Sequence, residues 1–336
     1  GGIGTTINPL NPDPFLRSLS FTDYGVVDGF TQGTLDVRAG LDWAGLPIFS
    51  NSGVGFPFVT SFPFTPLVSN PTGSTISVGN ITNTNGIGSI YLSNQYFPNP
   101  FVLSGSIFTE SINTFGNLVL DSRGGIFTGG NIDTGSNLPV NAGNIKLLAN
   151  GNIITGGTIE SSVKVGGVGN GGDITLISRL GNIDTQGGFV NSSTGLGLSG
   201  DITFTAFGNI VTGSNSATGL PAVGSYIGAG GTGIAGRVTL TSQAGSIDTR
   251  RGELNSASDT NGISGDITLT AAGNVAIGDI KSFSNSNFLA NAGSIKIDSG
   301  ANVSIIGATL DSTTNGASRG GDIIITARSN ISAIGS

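Results

Sequence analysis

No cysteine, methionine or histidine occurs anywhere in the 336 residues. Without cysteine there is no disulfide and no thiolate chemistry, and a chain without it suits secretion, where a protein crosses an envelope unfolded and meets oxidants outside. Without histidine the side chain most often used as a general base is missing. Charge is sparse as well: 13 Lys and Arg stand against 20 Asp and Glu, 10% of the chain, for a net charge of −7. Phosphate binding requires several basic side chains on one face, and no basic cluster exists, which excludes nucleic acid as a partner. No apolar run reaches the roughly 18 residues of a membrane-spanning helix.

What the chain does have is period. A motif of the general form Gly-Asp-Ile-x-Leu begins at Gly88, Gly116, Gly143, Gly172, Gly200, Gly236, Gly265, Gly293 and Gly321, with spacings of 28, 27, 29, 28, 36, 29, 28 and 28 residues. A fixed period of this length indicates a stacked solenoid. A second short motif follows about eight residues after the first in each copy, as in Gly181-Asn182-Ile183, Gly208-Asn209-Ile210, Gly245-Ser246-Ile247 and Gly273-Asn274-Val275. A third apolar beat falls at Ile159, Val190, Leu254, Ile280 and Leu310.

Within the first motif the residues alternate. In Asp266-Ile267-Thr268-Leu269-Thr270-Ala271, the residues Ile267, Leu269 and Ala271 face one way and the threonines the other, which is a strand pattern. No segment carries a capped 3.6-residue apolar stripe, and Gly, Ser, Thr and Asn fill the polar positions, so a helical solenoid is excluded. The expected fold is all-β: a right-handed parallel β-helix of about nine to ten rungs, each of three strands of four to six residues. At the strand spacing of a sheet, nine rungs give a rod about 43 Å long. One column of Ile174, Ile202, Val238, Ile267, Ile295 and Ile323, flanked by Leu176, Phe204, Leu240, Leu269, Ile297 and Ile325, is expected in the core. The 58 glycines, far above the roughly 7% of ordinary proteins, are expected at rung corners where φ is positive.

The first third differs. Residues 1–127 hold 13 of the 18 Phe, 10 of the 12 Pro and the only Trp, Trp43. Residues 1–32 read as an N-terminal arm or cap, 33–87 as a first irregular rung, and 88–336 as the regular repeats. Gly33-Thr34-Leu35-Asp36-Val37 resembles the rung opener, and Ser74-Thr75-Ile76-Ser77-Val78 reads as the third strand of that turn. Residues 51–72 then form a projecting insertion. One account makes the Phe/Pro-rich segments a cap over open strand edges. The other makes them subunit contacts, in which Pro keeps a segment extended and Phe supplies apolar anchors. The interaction candidates are Phe15, Phe21, Phe30, Phe56, Phe58, Phe62 and Phe64, together with Pro221 and Tyr226 in a loop expected to protrude from the 36-residue spacing.

Stacking turns the repeats into columns. Asn152, Asn182, Asn209, Ser246, Asn274, Asn302 and Asn330 form one; stacked amides hydrogen-bond along a ladder, and Asn tolerates a left-handed corner. A second column reads Asn144, Asp173, Asp201, Arg237, Asp266, Ser294, Asp322. Its ordinary reading is a row of solvated corners in which Arg237 pairs with Asp201 or Asp266. Its functional reading is a divalent-cation ladder through Asp173, Asp201 and Asp266. The Thr-x-Thr array at Thr203, Thr205, Thr239, Thr241, Thr268 and Thr270 could order water as ice does, although Thr is also an ordinary exposed strand residue. For catalysis the best cluster is Asp248, Arg250, Arg251 and Glu253, which reads as a solvated turn of local ion pairs. No catalytic residue and no cofactor is expected.

Repeats of the form Gly-Asp-Ile-Thr-Leu-Thr-Ala-x-Gly-Asn-Ile, at 172–183, 200–210 and 265–275, resemble the filamentous haemagglutinin-like exoproteins of two-partner secretion, in the Gly/Asn-rich style common in cyanobacteria. The resemblance covers roughly residues 86–336. It implies a β-helical secreted or surface protein of a Gram-negative-type bacterium, used in adhesion, aggregation or matrix formation. The chain opens at Gly1 without an initiator Met and its last copy stops before a third strand, so both ends are expected to be processing or truncation boundaries. The expected role is a non-enzymatic extracellular filament subunit, a homopolymer joined end to end and by its arm. The alternatives are a monomeric adhesin that binds glycans or cells and, third, a polysaccharide-degrading enzyme.

Overall fold

The computed structural model describes residues 75–334, apart from 85–87, 95–104, 137–139, 164–166, 214–219, 260, 286–289 and 316, and ahead of these the strands Leu19–Ser20, Val27–Asp28 and Leu35–Arg38. All regular structure among the described residues is β-strand. The strands form a parallel β-solenoid with three long sheets. Sheet I, built from the first motif, has ten strands, from Leu35–Arg38 to Ile323–Ala327. Sheet II, from the second motif, has eleven, and sheet III, from the third apolar beat, has ten. Eight successive coils over residues 107–327 each add one strand to every sheet, after two earlier coils over 19–38 and 76–93.

The register is that of the repeat. Ile174 pairs with Ile202, and the column continues through Val238, Ile267 and Ile295 to Ile323. The column is fully buried from Ile174 to Ile295, and so is its neighbour from Leu176 to Ile297. Each such side chain contributes about 1.5–3 kcal/mol by leaving water. Ile323 departs from expectation, being 45% exposed, because no described coil lies over it.

Four other expectations change. The strands of sheet III are mostly two residues long, as in Val190–Asn191 and Leu254–Asn255. An Asx turn bends the chain at once: the N–H of Ser193 donates to Asn191 Oδ1 (3.1 Å) and that of Ala257 to Asn255 Oδ1 (2.8 Å). Ile76–Val78 lies in sheet II, paired with Ile107–Thr109, not in the third strand position. Within segment 1–32, Leu19–Ser20 and Val27–Asp28 pair with Ile76–Ser77 and Ile81–Thr82. Finally, only five described glycines have positive φ, and no other described residue does. The motif glycines serve another purpose. A Cβ on Gly172, Gly200, Gly236, Gly265, Gly293 or Gly321 would overlap the carbonyl oxygen of the motif glycine one coil before it. Close approach of backbone to backbone, not handedness, requires glycine there.

Those carbonyls are also acceptors. Ser161, Ser192, Ser225, Ser256, Ser282 and Ser312 are buried, and their hydroxyls donate to the carbonyls of Gly143, Gly172, Gly200, Gly236, Gly265 and Gly293 at 2.5–2.6 Å. A second inner ladder joins Ser178, Ser242 and Ser299 to the carbonyls of Gly151, Gly208 and Gly273. Buried hydroxyls satisfied in this way link each coil to the one before it.

Candidate functional site

The outer corners carry two polar ladders. In the asparagine column, Asn182 Oδ1 accepts the backbone N–H of Asn209 at 2.7 Å, Asn209 Oδ1 that of Ser246 at 2.8 Å, and Asn274 Oδ1 that of Asn302 at 3.1 Å. The side-chain oxygen thus reaches the main chain of the next coil. Amide-to-amide bonds are added at Asn182–Asn152 and Asn302–Asn274. These corners are not left-handed, since no described asparagine has positive φ.

The Asp column works the same way. Asp173 Oδ1 accepts the N–H of Asp201 (2.8 Å), Asp201 Oδ1 that of Arg237 (2.8 Å), and Asp266 Oδ1 that of Ser294 (2.7 Å). Asn144 occupies the equivalent place and accepts from Asp173. Arg237 selects Asp201, with Nη2 at 2.7 Å from Oδ2; this contact raises the guanidinium pKa. The three cation candidates each therefore spend one carboxylate oxygen on the backbone. No group of three or more acids suited to a metal ion occurs among the described residues.

At the Asp248 corner, Arg250 Nη2 lies 2.6 Å from Asp248 Oδ2 and holds that carboxyl below its ordinary pKa. Glu253 turns instead to Lys281, at 2.6 Å, and this bond raises the Lys281 pKa. The cluster is split between an ion pair within its own coil and one that joins it to the next coil. The threonine array is in register, Thr203 with Thr239 and Thr268, and Thr205 with Thr241 and Thr270, all half-buried.

Among the interaction candidates, Phe15, Phe21, Phe30, Phe56, Phe58, Phe62 and Phe64 lie outside the described residues. Pro221 is buried. Tyr226 is half-buried; burial raises its hydroxyl pKa, against a hydrogen bond with Ser193. The long spacing is used in part by Ile227–Ile234, which pairs with Thr194–Leu198 in a separate two-stranded sheet.

One group went unseen in the sequence. Asp121, in the strand Leu118–Ser122, occupies an outward position yet is only 3% exposed. Burial pushes its pKa up to about 7, against the pull of Arg179 and of a long hydrogen bond from Ser93 (3.5 Å). Buried Asn94 and Arg123 lie at the adjoining corner, where Asn94 Oδ1 accepts the N–H of Arg123 at 3.0 Å. Arg179 reaches Asn150 Oδ1 at 3.4 Å. Arg123, Asn150 and Arg179 follow their strands at equivalent places in three successive coils, with Asn94 one position short of that column in the coil before. The result is a buried carboxyl whose pKa burial raises to about 7 against the pull of the Arg179 guanidinium, an environment that marks functional sites more often than inert surface. Comparison with protein-family models, curated proteins and solved structures found no match.

Proposed function

We propose that this chain is a non-enzymatic structural or adhesive component of a bacterial surface, working outside the cell as the β-helical subunit of a filament or matrix. The observation that carries the reading is the stacking itself: in each long sheet a strand pairs in parallel with its equivalent one coil on. Along its strand edges a stack of this kind accepts another coil of the same period in register. Each copy of the chain carries such coils. A head-to-tail contact of this kind does not close and extends into a fibre. The resemblance of the repeats to filamentous haemagglutinin-like exoproteins and the lack of cysteine support the extracellular assignment.

Electron microscopy of the purified chain tests the reading. Fibres are expected. Single rods would favour the second reading, a monomeric adhesin that binds glycans or cells. That reading has one observation of its own: Phe108 and Phe127 stack on the outer face of sheet II, ring centroids 5.0 Å apart, with Phe108 43% exposed and exposed Ile154 next in the column.

A further inference from the structure

Sheet II carries a third column of inner hydroxyls, and it behaves unlike the other two. Thr109, Thr128, Thr155, Thr185, Thr212 and Thr249 each occupy the third place of their strand in six successive coils. Thr109, Thr128 and Thr155 pair directly, as do Thr185 and Thr212. All six are buried, and none of their Oγ1 atoms has a hydrogen-bond partner among the described residues. Nearby carbonyls are taken: those of Thr109 and Thr128 accept the N–H groups of Gly129 and Gly156. The serine ladders, by contrast, all end on glycine carbonyls.

Six consecutive unsatisfied hydroxyls in a dry core would be costly, and buried polar groups in native proteins are nearly always paired. The same column shows the position tolerates apolar residues: Val78 pairs with Thr109 at one end, and Ile277 and Ile305 follow beyond Thr249 at the other. Ile277 is also fully buried. Isoleucine carries one heavy atom more than threonine, so at Ile277 the same position of the fold accommodates one further atom.

The spacing selects what fills it. Successive strands lie about 4.8 Å apart, too far for one hydroxyl to reach the next. Two O–H···O bonds of about 2.8 Å meeting at an angle of about 120° span that distance. A water molecule has this geometry, needs two to four polar partners and takes up about 30 Å³ in the liquid.

We infer that the Thr109 to Thr249 column holds a file of buried water, one molecule bridging each pair of successive threonine hydroxyls. Each hydroxyl donates to one water and accepts from the next, so the file has a single direction and its bonds reinforce one another. Val78 and Ile277 close it at its two ends. It joins six coils by hydrogen bonds that no side chain of this length makes directly.

The sign of a stability change decides the matter. Thr185→Val keeps the shape and removes the hydroxyl. If the file exists, the variant strands two waters and the thermal midpoint falls; if the hydroxyl sits dry, the variant removes an unsatisfied group and the midpoint rises. A midpoint that rises or does not move overturns the inference. A crystal structure of the unmodified protein at atomic resolution gives an independent reading should the variant fail to fold. Density within hydrogen-bonding distance of two successive Oγ1 atoms is expected, and a column without it overturns the inference as well.

Discussion

Gly265 stacks so closely on Gly236 that a Cβ on the later residue would overlap the carbonyl oxygen of the earlier one, as well as Ser256 Oγ. The overlapped carbonyl is the one to which Ser256 donates, so neither partner can move without breaking the joint between coils. Gly265→Ala should therefore lower stability by about 1–3 kcal/mol, the usual cost of overpacking. At Gly228 a Cβ would meet nothing within 4 Å, and Gly228→Ala should stay within about 0.5 kcal/mol. Urea midpoints of the two variants test the contrast; equal effects would mean that close approach is not what glycine provides at the motif.

Ile267 lies in the middle of its column with no exposed surface. Ile267→Asp would bury an unpaired carboxylate, which costs several kcal/mol or forces protonation, and neighbouring coils would lose their stacking partner. Thr268→Asp, at the half-buried outward position beside it, should cost much less. Thermal midpoints of the pair measure the difference, and an unmoved midpoint for Ile267→Asp would contradict the register.

The register itself was legible. Period two within a strand and about 28 residues between strands suffice to place Ile267 over Val238 and under Ile295, because both periods are geometric properties of a stacked coil. The reason for glycine was not. A repeated Gly265 announces that no Cβ fits, but whether φ or a neighbouring coil forbids it depends on how tightly coils approach at the corner. Asp121 was hidden for another reason: alternation assigns it outward, and outward positions in a regular coil are solvated. Its burial depends on what covers that face, which the repeat does not encode. The Arg123, Asn150, Arg179 column was readable by the same spacing and would have drawn attention to that corner.

Asp201 separates the two readings of the acidic column. Its Oδ1 accepts the Arg237 backbone N–H while its Oδ2 meets the guanidinium. The ion pair is largely exposed, so Arg237→Ala should cost less than about 1 kcal/mol. Asn144 performs the backbone task elsewhere in the column, so Asp201→Asn should be nearly neutral, whereas Asp201→Ala loses the acceptor and about 1 kcal/mol. Differential scanning calorimetry with and without calcium completes the test. A calcium-dependent rise in the midpoint that Asp201→Asn abolishes would identify a cation ladder instead.

Asp121 gives the fold a pH dependence whose direction follows from its environment. Burial raises its pKa from 3.8 to about 7, so the folded chain retains a proton that the unfolded chain releases. The sign follows: stability from this group is fully present below about pH 4, where both states are protonated, and is lost as pH rises through 7. Between those limits stability should fall by up to about 1.4 kcal/mol per pH unit. Other carboxyls oppose the trend in part; Asp248, held low by Arg250, contributes stability that is lost as pH falls below the ordinary carboxylate range. Asp121→Asn isolates the effect, since the amide matches the neutral acid in shape and cannot ionise. Urea unfolding at intervals from pH 4.5 to 7.5 should show the unmodified chain weakening toward neutrality and the variant holding nearly level. Parallel slopes for the two would mean that Asp121 is ionised throughout, with Arg179 outweighing burial.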